Sequence, residues 1–231
     1  MGVVLPPKEA HMKPSESETL ARETLLNWPN AITVARILIC LPVFAFAAYS
    51  RSTVWNFVGL GLHWALDGLD GYLARSLKQE TRFGAQIDII ADRAMVAFFY
   101  INYLPTHPHL AAPIVTYLIL YGFVDHYLSN QFLQWGLLSP NYFYQADATV
   151  WLLNWSTPGK FVNSGLFTVL VLSTNSALAT LPALAGLAIV KLFATARILR
   201  LPLPQAAARL RRPPPEPRLS IGKYLAARSK A

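Results

Sequence analysis

The chain has 231 residues, 54% of them hydrophobic and only 14% charged, with a formal net charge of +8. A soluble domain carries about 25% charged residues. The apolar residues come in long blocks, which excludes a disordered or collagen-like chain and points to one membrane-embedded domain. The single cysteine, Cys40, excludes a disulfide framework and any Cys-based zinc or iron–sulfur site.

Residues 1–28 carry Lys8, Lys13 and Arg22 against Glu9, Glu16, Glu18 and Glu23 and contain no apolar run, so no cleavable signal peptide is expected. Within them, residues 15–27 read as a polar, amphipathic juxtamembrane helix, with Ser15 and Glu18 at capping-box spacing. Six segments then approach the roughly 20 mostly apolar residues that a bilayer crossing needs. They are residues 30–50, 53–75, 83–104, 110–135, 160–174 and 177–199; the fifth is short and is expected to start earlier. The connections at 51–52, 105–109 and 175–176 are brief, which predicts antiparallel neighbours. Residues 201–231 hold seven Lys or Arg against one Glu, with four prolines over 213–217. The expectation is an all-α, polytopic integral membrane protein of about six transmembrane helices. It has three parts: a cytoplasmic N-terminal segment (1–28), a six-helix membrane domain (29–200) and a basic, Pro-rich cytoplasmic tail (201–231).

Lys and Arg set the orientation. Arg75, Lys78 and Arg82 lie between the second and third segments, Lys160 follows the fourth, and the alternate loops hold only Arg51. Both termini, the 75–82 loop and the 136–160 loop are therefore expected on the cytoplasmic side. Tyr142, Phe143, Tyr144, Trp151 and Trp155 suit a membrane interface. The tail's charge fits an anionic lipid surface or a plain topology signal; without interleaved stacking aromatics, no nucleic-acid partner is expected.

Four of the six Asp fall within 26 residues: Asp67, Asp70, Asp88 and Asp92. An ionised group inside a bilayer costs about 2.5 kcal/mol or more, so such residues are usually functional. Asp67 and Asp70 are i, i+3, and Asp88 and Asp92 are i, i+4, so each pair shares a helix face. Two antiparallel helices would turn all four carboxylates into one space, where two divalent cations would cancel their charge. Oxygen-only ligands favour Mg²⁺, Mn²⁺ or Ca²⁺ over zinc. Gly71 and Gly84 leave room on the same faces, Ala74 extends the small surface, and Arg75 suits a phosphate held by metal. The bland alternative is packing glycines with carboxylates paired to Arg75, Arg82 and Arg93.

In sequence the constellation is Asp67-Gly-Leu-Asp70-Gly71-Tyr-Leu-Ala74-Arg75, eight residues, Gly84, three residues, Asp88, three residues, Asp92. It matches every fixed position of the CDP-alcohol phosphatidyltransferase signature, and the chain resembles that family. The entry Asn27-Trp-Pro29-Asn30-Ala-Ile-Thr33-Val-Ala-Arg36 is similar to the family too, so the resemblance spans roughly 27–199. It implies attack of an acceptor hydroxyl on the β-phosphorus of a CDP-linked lipid, CDP-diacylglycerol, with release of CMP. It implies Asp67, Asp70 and Asp88 as metal ligands, and Asp92 as general base and further metal contact. Asp67, Gly71, Ala74, Arg75 and Gly84 would line the CDP site. Mg²⁺ or Mn²⁺, in two ions, and a homodimer are implied in the same way.

Other polar residues read two ways. Asn30, Thr33 and Arg36 lie at i, i+3, i+6 and face the site, unless Arg36 snorkels to headgroups. Lys160, in Pro158-Gly159-Lys160, binds a phosphate on the acceptor or is a plain positive-inside residue. Asp125–His126 contributes to an acceptor pocket or forms an intramembrane hydrogen bond. Lys191 and Arg197 snorkel or pair near the cytoplasmic surface, and His63 packs. The Pro29-Asn30…Thr33…Arg36 entry and Gly159-Lys160 look like phosphatidylglycerophosphate synthases. The run from Ala74 to Ala85 and Asp92-Arg93 look like phosphatidylinositol synthases. Glycerol-3-phosphate and inositol stand level as acceptors, with phosphatidylglycerol or another alcohol behind. Two competing classes are an ion-coupled transporter using the Asp cluster and a non-catalytic membrane scaffold; CMP release separates the three.

Overall fold

The computed structural model describes residues 27–204. The expected helix at 15–27 and the basic tail beyond residue 204 lie outside the described residues. Among the described residues all regular structure is helical: α1 (Trp28–Ser50), α2 (Thr53–Ser76), α3 (Arg82–Tyr103), α4 (Ala111–Ile119), α5 (His126–Asn130), α6 (Ala148–Asn154), α7 (Thr157–Lys160), α8 (Leu166–Thr174) and α9 (Ala177–Arg200). A π turn at Leu120–Asp125 joins α4 to α5. A second, Phe161–Gly165, joins α7 to α8. The described residues therefore form six long rods, and the fifth starts at residue 157, earlier than the apolar run.

Polar caps set the helix starts. Asn27 Oδ1 accepts from the Asn30 amide at 2.9 Å, with Pro29 in the first turn of α1. Thr81 Oγ1 accepts from Gly84 N at 2.9 Å at the head of α3. Asp147 and Ser156 do the same for α6 and α7. Arg51 and Asn175 close α1 and α8 in left-handed conformation. Each stop stands beside the next start, so neighbouring rods fold back on one another.

α1 packs on α2 and α3. Their shared core holds Cys40, Phe44, Leu60 and Phe99, and the Phe44 ring lies so close to Gly59 that a Cβ there would sit 2.8 Å from it. Tyr100, Tyr117, Phe167, Val171 and Leu184 extend this core to the later helices. Outward, Leu38, Tyr49, Phe123, Leu178, Ile189 and Leu199 stand exposed, a surface suited to lipid. Among the described residues three helices, Trp28–Ser50, Pro108–Trp135 and Ala177–Arg200, are long and apolar enough to cross a membrane. The Asp-bearing α2 and α3 match them in length but not in apolarity.

Residues 136–156 differ from the expected interfacial loop. They form a folded cap made of a 3₁₀ turn (Pro140–Gln145) and α6. Phe143 and Trp155 are buried against Ile89, Phe132 and Ile198 in a second core, while Tyr144 stays exposed. The cap is held at both sides: Arg82 donates to Gly136 O at 2.6 Å and Leu137 O at 3.2 Å, and Arg197 Nε pairs with Asp147 at 2.7 Å. Tyr142 donates to Glu80. Burial, and then that carboxylate, push the Tyr142 phenol up to about 12.

Candidate active site

α1, α2 and α3 bring the four carboxylates to one end of the bundle, under the cap. At their centre is the guanidinium of Arg36, fully buried. Its Nη1 bonds Asp67 and lies 3.9 Å from Asp70 Oδ2 and 3.3 Å from Asp92 Oδ1; its Nη2 bonds Asp88 at 2.7 Å. Thr33 Oγ1, one turn before Arg36, reaches Asp70 Oδ2 at 2.9 Å and Pro29 O at 3.1 Å. Arg36 therefore points into the cluster and does not snorkel to headgroups. Nor do the carboxylates pair with Arg75, Arg82 or Arg93 as the bland alternative supposes. Arg82 serves the cap, and Arg93 pairs with Asp125. No other cation shares the centre with Arg36, so four carboxylates meet one positive charge among the described residues.

That imbalance bears on metal binding. Asp67, Asp70 and Asp88 each offer an oxygen, and these oxygens lie within 4.8 Å of one another. Asp92 Oδ1 is buried with no hydrogen-bond partner, although Arg36 stands at ion-pair distance. A hard divalent cation fits this donor set: oxygens only, clustered, with surplus negative charge.

Two cavities meet over the carboxylates. The first, about 210 Å³, is lined by Asp67, Asp70, Gly71, Ala74, Arg75 and Gly84, and also by Asn30, Thr33 and Lys160. Gly84 faces α1 so closely that a Cβ would lie 2.3 Å from Asn30 Oδ1 and 2.9 Å from Thr81 Oγ1. The Arg75 guanidinium folds back over Gly71, 3.3 Å from where a Cβ would be. The second cavity, about 310 Å³, is lined by Asp92, Arg93, Asp125, Ser129, Asn154 and Asn163, among others. Asp67, Ala85, Asp88, Ser139, Asn141 and Lys160 border both. Lys160 has no ion-pair partner among the described residues. Gly159 before it is pressed against α6, where a Cβ would lie 2.7 Å from Leu152 O.

Behind the second cavity Asp125 joins two cations. Arg93 Nη2 bonds it and also Ser129 Oγ at 2.9 Å. Lys191 Nζ bonds its other oxygen and Asn154 Oδ1 at 2.8 Å. Lys191 is thus buried and paired, not snorkelling. His63 is buried in the packing, as expected. Ser139, Asn141, Asn154 and Asn163 line the site without having been singled out from the sequence. Asn163 alone carried a usable signal, at i+3 from Lys160.

The family of CDP-alcohol phosphatidyltransferases matches residues 26–190. A CDP-diacylglycerol–glycerol-3-phosphate 3-phosphatidyltransferase of Pseudomonas fluorescens is 40% identical over 93 residues, covering 37% of this chain and 45% of the relative. A protein of the same description from Cereibacter sphaeroides is 36% identical over 108 residues, 43% of this chain and 49% of the relative. The human CDP-diacylglycerol–inositol 3-phosphatidyltransferase is 38% identical over 81 residues, 35% and 37% of the two chains. The chain spans less than half the length of these curated relatives. No solved structure matches significantly. With the family match covering most of the chain and the signature residues gathered around one pair of cavities, the chain belongs to the CDP-alcohol phosphatidyltransferase family.

Proposed function

We propose that this protein is a phospholipid-synthesising membrane enzyme that transfers a phosphatidyl group from CDP-diacylglycerol to an alcohol and releases CMP. The observation that carries this reading is the meeting of two cavities over Asp67 and Asp88. Donor and acceptor can approach one reacting phosphorus from two sides, as phosphoryl transfer requires.

The first cavity suits the CDP moiety. Gly71, Ala74 and Gly84 supply room, and Arg75 a cation for phosphate. The second suits the acceptor, and Lys160, bordering both, sits where either substrate's phosphate would lie. Asp67, Asp70, Asp88 and Asp92 would hold divalent metal, Mg²⁺ or Mn²⁺ in two ions. When bound, the metal supplies charge neutralisation for the pyrophosphate and the departing CMP. Asp92 Oδ1 takes the proton of the attacking hydroxyl as its oxygen bonds to the β-phosphorus and the bond to the CMP oxygen breaks. Arg36 is a positioning residue that keeps four carboxylates together at the cost of one cation.

The acceptor is glycerol-3-phosphate or inositol, the two alcohols between which the similar relatives divide. We also propose six membrane crossings, with the site and residues 1–28 and 201–231 on the cytoplasmic side, and a homodimer. The distribution of Lys and Arg supports the orientation.

The test is CMP release by purified protein with CDP-diacylglycerol, Mg²⁺ and one acceptor at a time: glycerol-3-phosphate, inositol, phosphatidylglycerol or serine. Release with one acceptor that a chelator abolishes supports the reading. Release with none, from folded protein, overturns it.

A further inference from the structure

The second cavity has an unusual wall. π turns are rare and concentrate at functional sites, because one extra residue in the turn re-aims the side chains around it. Both π turns among the described residues contribute to this one cavity. Leu120–Asp125 supplies Tyr121 and Asp125, and Phe161–Gly165 supplies Asn163 and Ser164.

Asn163 is 6% exposed. Its Nδ2 donates to Leu153 O at 2.8 Å and to Gly159 O at 2.6 Å, which uses both amide protons. Those carbonyls fix the amide's orientation, since a flip would set oxygen against oxygen. Its Oδ1 is left buried with no hydrogen-bond partner among the described residues. Roughly nine in ten buried polar groups are paired, so such an atom calls for an explanation. The same wall holds an unpartnered donor, Arg93 Nε, and an unpartnered hydroxyl, Ser139 Oγ. Arg93 is held still by Asp125, Ser129 and Ile89 O, and by the Tyr121 ring 4.7 Å from its guanidinium carbon. The second cavity is thus lined by one residue with a fixed, unmet acceptor and another with a fixed, unmet donor, a lining complementary to hydroxyl groups, which both give and take hydrogen bonds.

We propose that Asn163 is a specificity-determining residue whose Oδ1 accepts a hydrogen bond from a hydroxyl of the acceptor other than the one that reacts. This rests on the phosphatidyl-transfer reading and deepens it: it names the residue by which the site tells an acceptor with a further hydroxyl from an analogue that lacks it.

The test compares wild type with Asn163→Leu in CMP release from CDP-diacylglycerol, each acceptor paired with an analogue lacking one hydroxyl. The pairs are glycerol-3-phosphate against 3-hydroxypropyl phosphate, and inositol against the monodeoxyinositols. The polyol that supports turnover should beat one of its deoxy analogues by about 10- to 100-fold in kcat/KM on the wild-type protein, the scale of one unmet buried hydrogen bond. Asn163→Leu should turn over both members of that pair within about threefold of each other, with raised KM for the polyol and unchanged KM for CDP-diacylglycerol. A merely structural role would lower both rates and keep the preference. Where Asn163→Leu fails to fold, Asn163→Ala is read in the same way. Undiminished preference in a folded variant, or no preference in the wild type, overturns the inference alone. Absence of CMP release from wild type with every acceptor overturns the phosphatidyl-transfer reading and the inference with it.

Discussion

Replacing Arg36 by Met probes the electrostatics of the site directly. The substitution keeps much of the side-chain volume and removes the cation that all four carboxylates share. Contacts of 2.7, 3.3 and 3.9 Å to Asp88, Asp92 and Asp70 are each worth on the order of 4–6 kcal/mol at an effective dielectric near 20. Desolvation of the guanidinium cancels much of that sum. Stripping one partner from a buried ion pair nets a loss of about 3–5 kcal/mol. For a chain of this size that is a fall of roughly 6–20 °C in melting temperature, at about 2–4 °C per kcal/mol. The loss should depend on divalent cations. In wild type one positive charge already offsets the four carboxylates; in the variant none does, so added Mg²⁺ should restore more of the variant's stability than of the wild type's. The assay is thermal unfolding of both proteins in detergent across a Mg²⁺ titration, with a chelator arm. An Arg36→Met protein that melts like wild type in chelator, or gains no more from Mg²⁺, would refute the reasoning.

Further predictions concern single side chains. Gly84→Ala places a methyl 2.3 Å from Asn30 Oδ1, so it should cost about 1–3 kcal/mol in overpacking and depress turnover. Gly186→Ala meets nothing within 4 Å and should melt at or slightly above wild type, because Ala is the better helix former; paired melting curves and CMP assays check both. Asp92→Asn should lower kcat by about 10²–10⁴-fold, the range for a lost general base, with KM for CDP-diacylglycerol little changed and the protein still folded. The Tyr142 phenol is raised to about 12 by burial and Glu80. Its contribution to stability is therefore complete below pH 10 and lost as pH rises through about 12, and Tyr142→Phe should show a shallower alkaline loss over that window in unfolding curves taken at stepped pH.

Much of this site can be read from residue spacing alone. The i, i+3 and i, i+4 Asp pairs, the two glycines and Arg75 need only helical periodicity and an antiparallel turn to be brought together, and local caps such as Thr81 and Asn27 fix where those helices begin. The helix boundaries were legible for the same reason. Arg36 was harder. A cation on a membrane helix can reach outward to headgroups or inward to carboxylates, and only the packing of α1 on α2 and α3 decides. The folded cap at 136–156 is hard to see in sequence because aromatic residues suit an interface and a core equally; Phe143 and Trp155 pack in a core with Ile89 and Ile198. Ser139, Asn141 and Asn154 were hidden because their roles depend on contacts between distant segments. The π turns leave no mark in hydropathy, so Asn163 did not stand out despite its i+3 spacing from Lys160, whereas Asp125 is already legible as a candidate for the acceptor pocket.

The most direct test of the central claim is stoichiometry in proteoliposomes holding CDP-diacylglycerol and Mg²⁺, with radiolabelled glycerol-3-phosphate in one set and radiolabelled inositol in another. The account predicts that one of them passes into the chloroform-extractable fraction mole for mole with CMP, and that both products fall by about 100-fold or more with Asp92→Asn and vanish with a chelator. CMP formed without labelled lipid, or no CMP from folded wild-type protein with either acceptor, would contradict it.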